Sequence, residues 1–163
     1  MKKFAILFIV ATVVLLGAVL AFAAPSTTQT VQYAVSAINE IAVSADPATL
    51  TMSTATAGSL PDVVIESSTT YSLTTNNPNK KITGVLDSNM PADLLLTIEL
   101  ASPGITGWTS AGEKTLTNVA ADLATGGDKG TASAKGITYR LKPNAVVPDV
   151  QSGSRTLTLT LSN

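Results

Sequence analysis

The chain has 163 residues, with 10 basic and 11 acidic side chains, and this near-neutral balance without a basic patch argues against nucleic acid as a partner. It contains no Cys and no His. Their absence excludes disulfide cross-links, Ser-His-Asp and Cys-His catalysis, and the usual zinc sites. Hydrophobic residues make up 45% of the chain, which is enough for the core of one folded domain.

Residues 1–23 have the pattern of an export signal. Lys2 and Lys3 form a short basic region, an apolar run follows, and Ala21 and Ala23 supply the small-x-small motif that a signal peptidase recognises. The apolar run has about 20 residues, so an uncleaved signal could instead anchor the chain in a membrane. Both alternatives place the rest of the chain outside the cytoplasm, as a secreted or cell-surface protein.

Residues 24–30 are polar and show no apolar pattern, which predicts a flexible leader. From residue 31 the hydrophobic period becomes two, as in a strand with one buried face. Residues 38–40 interrupt the alternation, which indicates one long strand with a bulge or two consecutive strands. The apolar face of this segment is formed by Val31, Tyr33, Val35, Ala37, Ile41 and Val43.

Further short alternating segments follow, separated by turn signals such as the Asn-Asn-Pro-Asn run at residues 76–79. The most regular are residues 94–100 and 156–161. In the first, apolar residues at 94, 96, 98 and 100 alternate with Leu95, Thr97 and Glu99, and in the second Thr and Leu alternate strictly. No window after the signal has the sustained 3.6-residue period of a helix. About seven to nine short strands at this spacing predict a single antiparallel β-sandwich, immunoglobulin-like or jelly-roll, over residues 31–163.

Some regions carry weaker patterns. Leu50 and Met52 predict a short strand, residues 118–124 could form a helical turn, and the Gly-rich residues 124–136 predict an exposed hairpin or loop. Four aromatic residues are predicted to lie in the core, although the single Trp could also be an exposed binding anchor. They are Tyr33, Tyr71, Trp108 and Tyr139.

Candidate catalytic and metal sites are few. A carboxylate pair of the glycosidase kind needs no His, but most acidic residues lie at or beside turns, where Asp caps the bend. Ser133 and Lys135 lack the Ser-x-x-Lys spacing. Residues 87–93 begin like a calcium loop, but Ala92 occupies the sixth position, where such a loop needs Gly. The sequence therefore predicts no enzyme activity, no metal and no cofactor.

The order of the segments suggests self-association. A polar leader precedes the apolar segment at residues 30–44, and the chain closes with a bare alternating strand at residues 155–162. An extended apolar segment at one end of a sandwich can add as a strand to the sheet of a neighbouring copy. Ordinary sandwiches also begin with a strand, which then pairs within its own domain.

The run TVQYAVSAINEIAVS at residues 30–44 and the closing SRTLTLTL resemble small secreted prokaryotic β-sandwich proteins of the surface-filament and biofilm-matrix subunit type. The resemblance covers the layout of most of the chain after the signal. It implies a structural role in filaments or matrix that assemble by strand exchange. No catalytic residues come with it.

These observations predict a secreted, non-enzymatic structural protein whose partner is itself. The alternative is a monomeric extracellular module that binds a glycan or a protein through the loops at residues 102–112 and 124–136. Contact with a membrane is expected only through an uncleaved leader.

Overall fold

The structure is a computed structural model that describes residues 25–145 and 152–163. In these residues the protein is an all-β sandwich of two antiparallel sheets, which confirms the predicted fold class. The predicted export signal with Ala21 and Ala23 lies outside the described residues. No helix in the described part of the chain has the length and apolar character needed to cross a membrane. Val35–Asn163 form the sandwich unit, and the described residues before Val35 belong to a separate unit.

The larger sheet, sheet I, is built around its longest strand. Its strands are β1 (Asn39–Val43), β2 (Val64–Glu66), β3 (Thr70–Thr75), β5 (Leu94–Leu100), β7 (Lys114–Thr115) and β9 (Gly130–Pro143). The strand order is β1-β3-β9-β5-β7, and β2 also pairs with β9. β9 has 14 residues, and β2 and β3 pair with successive parts of it.

The smaller sheet, sheet II, has the strand order β10-β4-β8-β6. Its strands are β4 (Lys81–Leu86), β6 (Thr109–Ser110), β8 (Ala121–Thr125) and β10 (Leu157–Ser162). Every strand pair in the described residues is antiparallel. The described residues form ten strands, where about seven to nine are predicted, and β6 and β7 have only two residues each.

The core lies between the two sheets because strand side chains alternate between opposite faces. In β5, Ile98 and Leu100 are fully buried, and in β4, Ile82 and Leu86 are buried on the facing sheet. The apolar residues at alternate positions of residues 94–100 therefore mark a core strand, as predicted. The other buried hydrophobic residues of this core cluster are Tyr71, Leu73, Trp108, Leu116, Leu123, Ala124, Ala132, Ile137 and Tyr139.

Three of the four aromatic residues predicted for the core are buried. The Tyr71 hydroxyl donates a hydrogen bond to the Ala101 carbonyl at 2.5 Å, and burial raises the pKa of Tyr71 to about 12. The Trp108 indole N–H donates to the Asp128 carbonyl at 2.9 Å. Tyr139 is also buried, whereas Tyr33 is 92% exposed, so the core prediction is wrong for Tyr33.

Three local predictions are corrected by the structure. Leu50 and Met52 are half-buried in an irregular segment rather than in a strand. Residues 118–124 contain no helical turn, because β8 begins at Ala121 and pairs with β4. The Gly-rich residues 124–136 form only a short turn before β9 begins at Gly130. Gly126 and Gly127 serve close packing there, since an added Cβ would overlap backbone atoms of neighbouring segments.

Candidate self-association surface

The segment predicted to mediate self-association has two parts in the structure. Its second part is β1, which pairs antiparallel with β3, and Ile41 lies opposite Leu73. Ile41 is half-buried and packs against the core, whereas Val43 is 50% exposed. The residues of β1 are therefore already used within the sheet of their own chain.

The first part, residues 31–37, is called here the N-terminal apolar segment. It has no assigned strand pairing among the described residues. Val31 is 77% exposed, Tyr33 92% and Val35 77%, and Ala37 is also exposed. Complete burial of a large apolar side chain stabilises a protein or a complex by about 1.5–3 kcal/mol relative to the exposed state. The single copy does not gain this free energy at these three positions. Such an exposed apolar face is typical of an interaction site.

Asn76 fixes the point at which this segment joins the sandwich. Its Nδ2 group donates to the Ser36 carbonyl at 2.8 Å, and its Oδ1 atom accepts from the Ile38 N–H at 2.8 Å. The Asn76 backbone N–H also donates to the Ile38 carbonyl, at 3.1 Å. β3 ends at Thr75. Beyond this end, the Asn76 side chain forms the hydrogen bonds to the backbone of residues 36 and 38 that a further residue of β3 would form.

The last strand, β10, has one edge that is free of any strand partner among residues 25–145 and 152–163. It pairs with β4 on one side and is the terminal strand of sheet II. The Asp87 N–H donates to the Thr156 carbonyl, and backbone groups of successive strand residues point to alternate sides of a strand. The backbone N–H and C=O groups of Leu157, Leu159 and Leu161 therefore point to the free edge.

The terminal strands of the described sheets differ in how well they resist pairing with another chain. β6 and β7 have only two residues each, and β7 carries Lys114. β2, which pairs with β9 alone in the described sheets, has only three residues and ends at Glu66. β1 carries Glu40, which is exposed. Short strands and charged side chains are common protections of sheet edges. β10 has six residues and contains no charge, no Pro and no register shift against β4, so it lacks these protections.

The strands β1 and β10 lie near each other along one side of the sandwich. The three leucines of β10 are only half-buried, although they pack against the core, and Ile41 of β1 is also half-buried. The side of the sandwich between these two strands is called here the seam. The seam is partly open to solvent, since the inner-facing side chains of both strands are only half-buried or exposed.

Charged residues form a network on the outer face of sheet I. Arg140 lies 3.1 Å from Glu99 and 3.5 Å from Glu113, and Lys142 also pairs with Glu113. The Thr97 hydroxyl donates to Glu113 at 2.7 Å. Hydrogen bonds from Lys142 and Thr97 lower the pKa of the Glu113 carboxyl below its ordinary value. The network attaches the short β7 region to the centre of sheet I.

Glu113→Gln is expected to reduce stability at pH 7, by at most about 1 kcal/mol because the pairs are partly solvated. The folded state lowers the pKa of Glu113, so its contribution is present above the ordinary carboxyl pKa and is lost as the pH falls through the folded value. Urea unfolding at pH 7 and pH 3 tests this expectation. The difference between variant and wild type should shrink at pH 3, and an unchanged difference would contradict it.

The candidate chemical sites of the sequence do not come together. Asp87 accepts a hydrogen bond from the Ser88 N–H at 2.8 Å, so it caps its own turn. Ser133 and Lys135 lie within β9, where Ala134 has a φ of 50° at an irregularity in the pairing with β3. Within residues 25–145 and 152–163, no three His, Cys, Asp or Glu side chains are grouped so that they could hold a metal ion.

The loop at residues 102–112, considered above for ligand binding, offers no exposed aromatic side chain. Within residues 102–112, Trp108 is buried, so it is not an exposed anchor. A shallow cleft of about 400 Å³ lies elsewhere, beside the connection between β4 and β5, and its lining includes Met90, Leu95 and Val119. Val119 is exposed. Sequence reasoning did not select this cleft, because its residues come from separate segments without a common motif.

Sequence reasoning also missed the free edge of β10. The bare closing strand at residues 155–162 is part of the predicted self-association pattern, but it is not identified there as the surface that accepts another strand. A usable signal was present, since no charged residue or Pro occurs between residues 156 and 163. An uncharged, regular strand can serve as a sheet edge open to pairing, but its position at an edge is known only from the fold.

Comparisons with known proteins identify no family for this chain. No protein-family model matches it. A search of curated proteins finds no significantly similar sequence.

Proposed function

We propose that this protein is an exported structural subunit that self-associates by β-strand addition, in a surface filament or extracellular matrix. The observation that carries the proposal is the N-terminal apolar segment, whose Val31, Tyr33 and Val35 are largely exposed and whose backbone has no strand pairing among the described residues. Strand addition to a second copy satisfies both features at once, because it pairs the backbone and buries the apolar face.

Only residues 31–37 are proposed to pair with a second copy. Ile41 and Val43 belong to β1, which pairs within its own chain, and Asn76 holds residues 36 and 38 at the end of β3. The segment is thus attached to a folded domain at a fixed point. A segment of one copy that pairs with a different surface of the next copy makes a heterologous contact, and repetition of such contacts gives open chains unless a ring closes.

The proposal is tested with a triple variant in which Val31, Tyr33 and Val35 are replaced by Ser. The wild-type protein is expected to form oligomers or filaments in light scattering and negative-stain microscopy. The triple variant is expected to remain monomeric with an unchanged melting temperature, because these side chains are exposed in the single copy. A matched control replaces Gln32 and Ala34, on the opposite face of the same segment, by Ser and should assemble like wild type.

Two outcomes would contradict self-association through this segment. The first is a wild-type protein that remains monomeric at high concentration and shows no filaments. The second is a triple variant that assembles as readily as wild type. If the control lost assembly as completely as the triple variant, assembly would depend on the whole sequence of the segment and not specifically on its apolar face.

The second candidate function is a monomeric extracellular binding module for a glycan or a protein. It is favoured by the pairing of β1 within its own chain and by the cleft lined by Met90, Leu95 and Val119. Hydrogen exchange on a purely monomeric preparation distinguishes the two functions. Protected amides within residues 31–37 of the monomer would favour the binding module, whereas fast exchange there and protection only in oligomers would favour self-association.

A further inference from the structure

We infer that the acceptor of the N-terminal apolar segment is the free edge of β10 in a second copy of the chain, so that sheet II gains a fifth strand from its neighbour. This inference rests on the proposed function, because it names the surface that receives the segment. The four-stranded sheet II would thereby be extended next to the seam.

The backbone of β10 fits this role. The N–H and C=O groups of Leu157, Leu159 and Leu161 point to the free edge, as the Asp87–Thr156 hydrogen bond establishes. Six residues of β10 face a segment of seven, residues 31–37. Neither contains Pro, so an added strand can form a continuous ladder of hydrogen bonds.

The side chains fit as well. The leucines of β10 point to the inner face but are only half-buried, and Val43 across the seam is 50% exposed. A strand placed beside β10 with Val31, Tyr33 and Val35 on the inner face would cover this apolar surface. Its other face carries Gln32 and Ser36, which would continue the outer face that β10 forms with exposed Thr158 and Thr160.

This alternation restricts the register. Shifting the added strand by one residue would move Val31, Tyr33 and Val35 to the solvent face and the polar residues to the seam. Charge also favours β10 over the other described edges, since neither the segment nor β10 has a charged residue, whereas β1 carries Glu40 and β7 carries Lys114. The strand β2, which pairs with β9 alone in the described sheets, has three residues and carries Glu66. The edge of β6 has only two residues.

Cysteine cross-linking tests the inference, because the native chain contains no Cys. One copy carries Ala34→Cys, on the outer face of the segment, and is mixed with a copy that carries Thr160→Cys. Matched controls carry Thr109→Cys on β6 or Thr115→Cys on β7, which are also exposed Thr residues at sheet edges. A short bismaleimide is added, and the product between unlike copies is measured by mass spectrometry. A second acceptor variant, Thr158→Cys, allows for a two-residue difference in register.

The product with Thr158→Cys or Thr160→Cys is expected to exceed that of either control at least about 10-fold, since direct cross-strand neighbours are about 5 Å apart. Equal yields, or a larger yield at Thr109 or Thr115, would overturn the β10 edge as acceptor while leaving self-association intact. A chain with both Ala34→Cys and Thr160→Cys that reacts only with itself, at concentrations where oligomers form, would overturn the second copy as the occupant. Absence of oligomers in the wild type would instead contradict the proposed function.

A binding measurement gives an independent test with the full chain. The triple Ser variant keeps β10 but loses its own apolar face, so it should bind a fluorescent peptide of residues 30–38 in an anisotropy titration. Adding Leu159→Lys should weaken this binding at least about 10-fold, because a charge would enter the half-buried face of the acceptor. Circular dichroism checks that the variant folds, and Thr160→Ser serves as a second, milder control that should bind normally. Equal peptide binding by folded Leu159→Lys would overturn the inference.

Discussion

Gly126→Ala is expected to prevent stable folding, with a loss of more than about 4 kcal/mol in the free energy of unfolding. A Cβ atom at Gly126 would overlap the Lys80 carbonyl and lie 2.9 Å from Cζ2 of the Trp108 ring. The carbonyl belongs to the backbone next to β4 and the ring is buried in the core, so neither can move without disturbing sheet II. Urea unfolding followed by circular dichroism measures the loss.

Gly136→Ala is the matched control for this substitution. Gly136 lies in β9, and a Cβ atom there would meet no other atom within 4 Å. We therefore expect a change of less than about 0.5 kcal/mol, as for most substitutions away from packed sites. A Gly126→Ala protein with the same urea midpoint as Gly136→Ala would contradict the close packing between the β8–β9 turn and Trp108.

Ile98→Ala is expected to cost about 2–5 kcal/mol in the free energy of unfolding, because it removes a buried side chain and leaves a cavity. Ile98 is fully buried in β5 and belongs to the core between the two sheets. The same change at Ile65, which is 60% exposed on β2 of the same sheet, should cost less than about 0.5 kcal/mol. Similar losses at both positions would contradict the assignment of inner and outer faces.

Different parts of the molecule are expected to support folding and assembly. Gly126 and Ile98 support the fold of a single copy, whereas Val31, Tyr33 and Val35 are largely exposed in it. Variants of the first kind should lose the folded monomer and, with it, any assembly. Variants of the second kind should lose assembly alone, and this separation would distinguish an interaction segment from a folding element.

Local patterns predicted those elements that depend on a period of two. Residues 94–100 and 156–161 form β5 and most of β10, and the apolar positions of β5 face the core. Residues 31–43 are predicted to form one long strand with a bulge or two consecutive strands, but among the described residues only Asn39–Val43 has a strand partner, β3. Alternation shows that a segment can be a strand, but a strand also needs a neighbour to receive its backbone hydrogen bonds.

In the Gly-rich region, by contrast, part of a predicted hairpin or loop belongs to a strand. Gly and polar residues at 124–136 predict an exposed hairpin or loop, yet β9 runs from Gly130 to Pro143 and pairs with three other strands. Gly127 lies against the backbone of Gly107, which comes from another part of the chain. Whether a Gly serves a turn or a close approach depends on that distant neighbour, and no local window contains it.

The sequence by itself determined the all-β class, the turns and the division of each regular strand into an apolar and a polar face, because these follow from the local period and from turn chemistry. Only the tertiary structure decided that β1 is used within its own sheet, that Asn76 holds the start of the sandwich, and that β10 has a free edge beside a half-open seam. These features depend on contacts between residues far apart in the chain. Strand order is a property of such pairings, and the alternation within one strand does not specify which strand lies beside it.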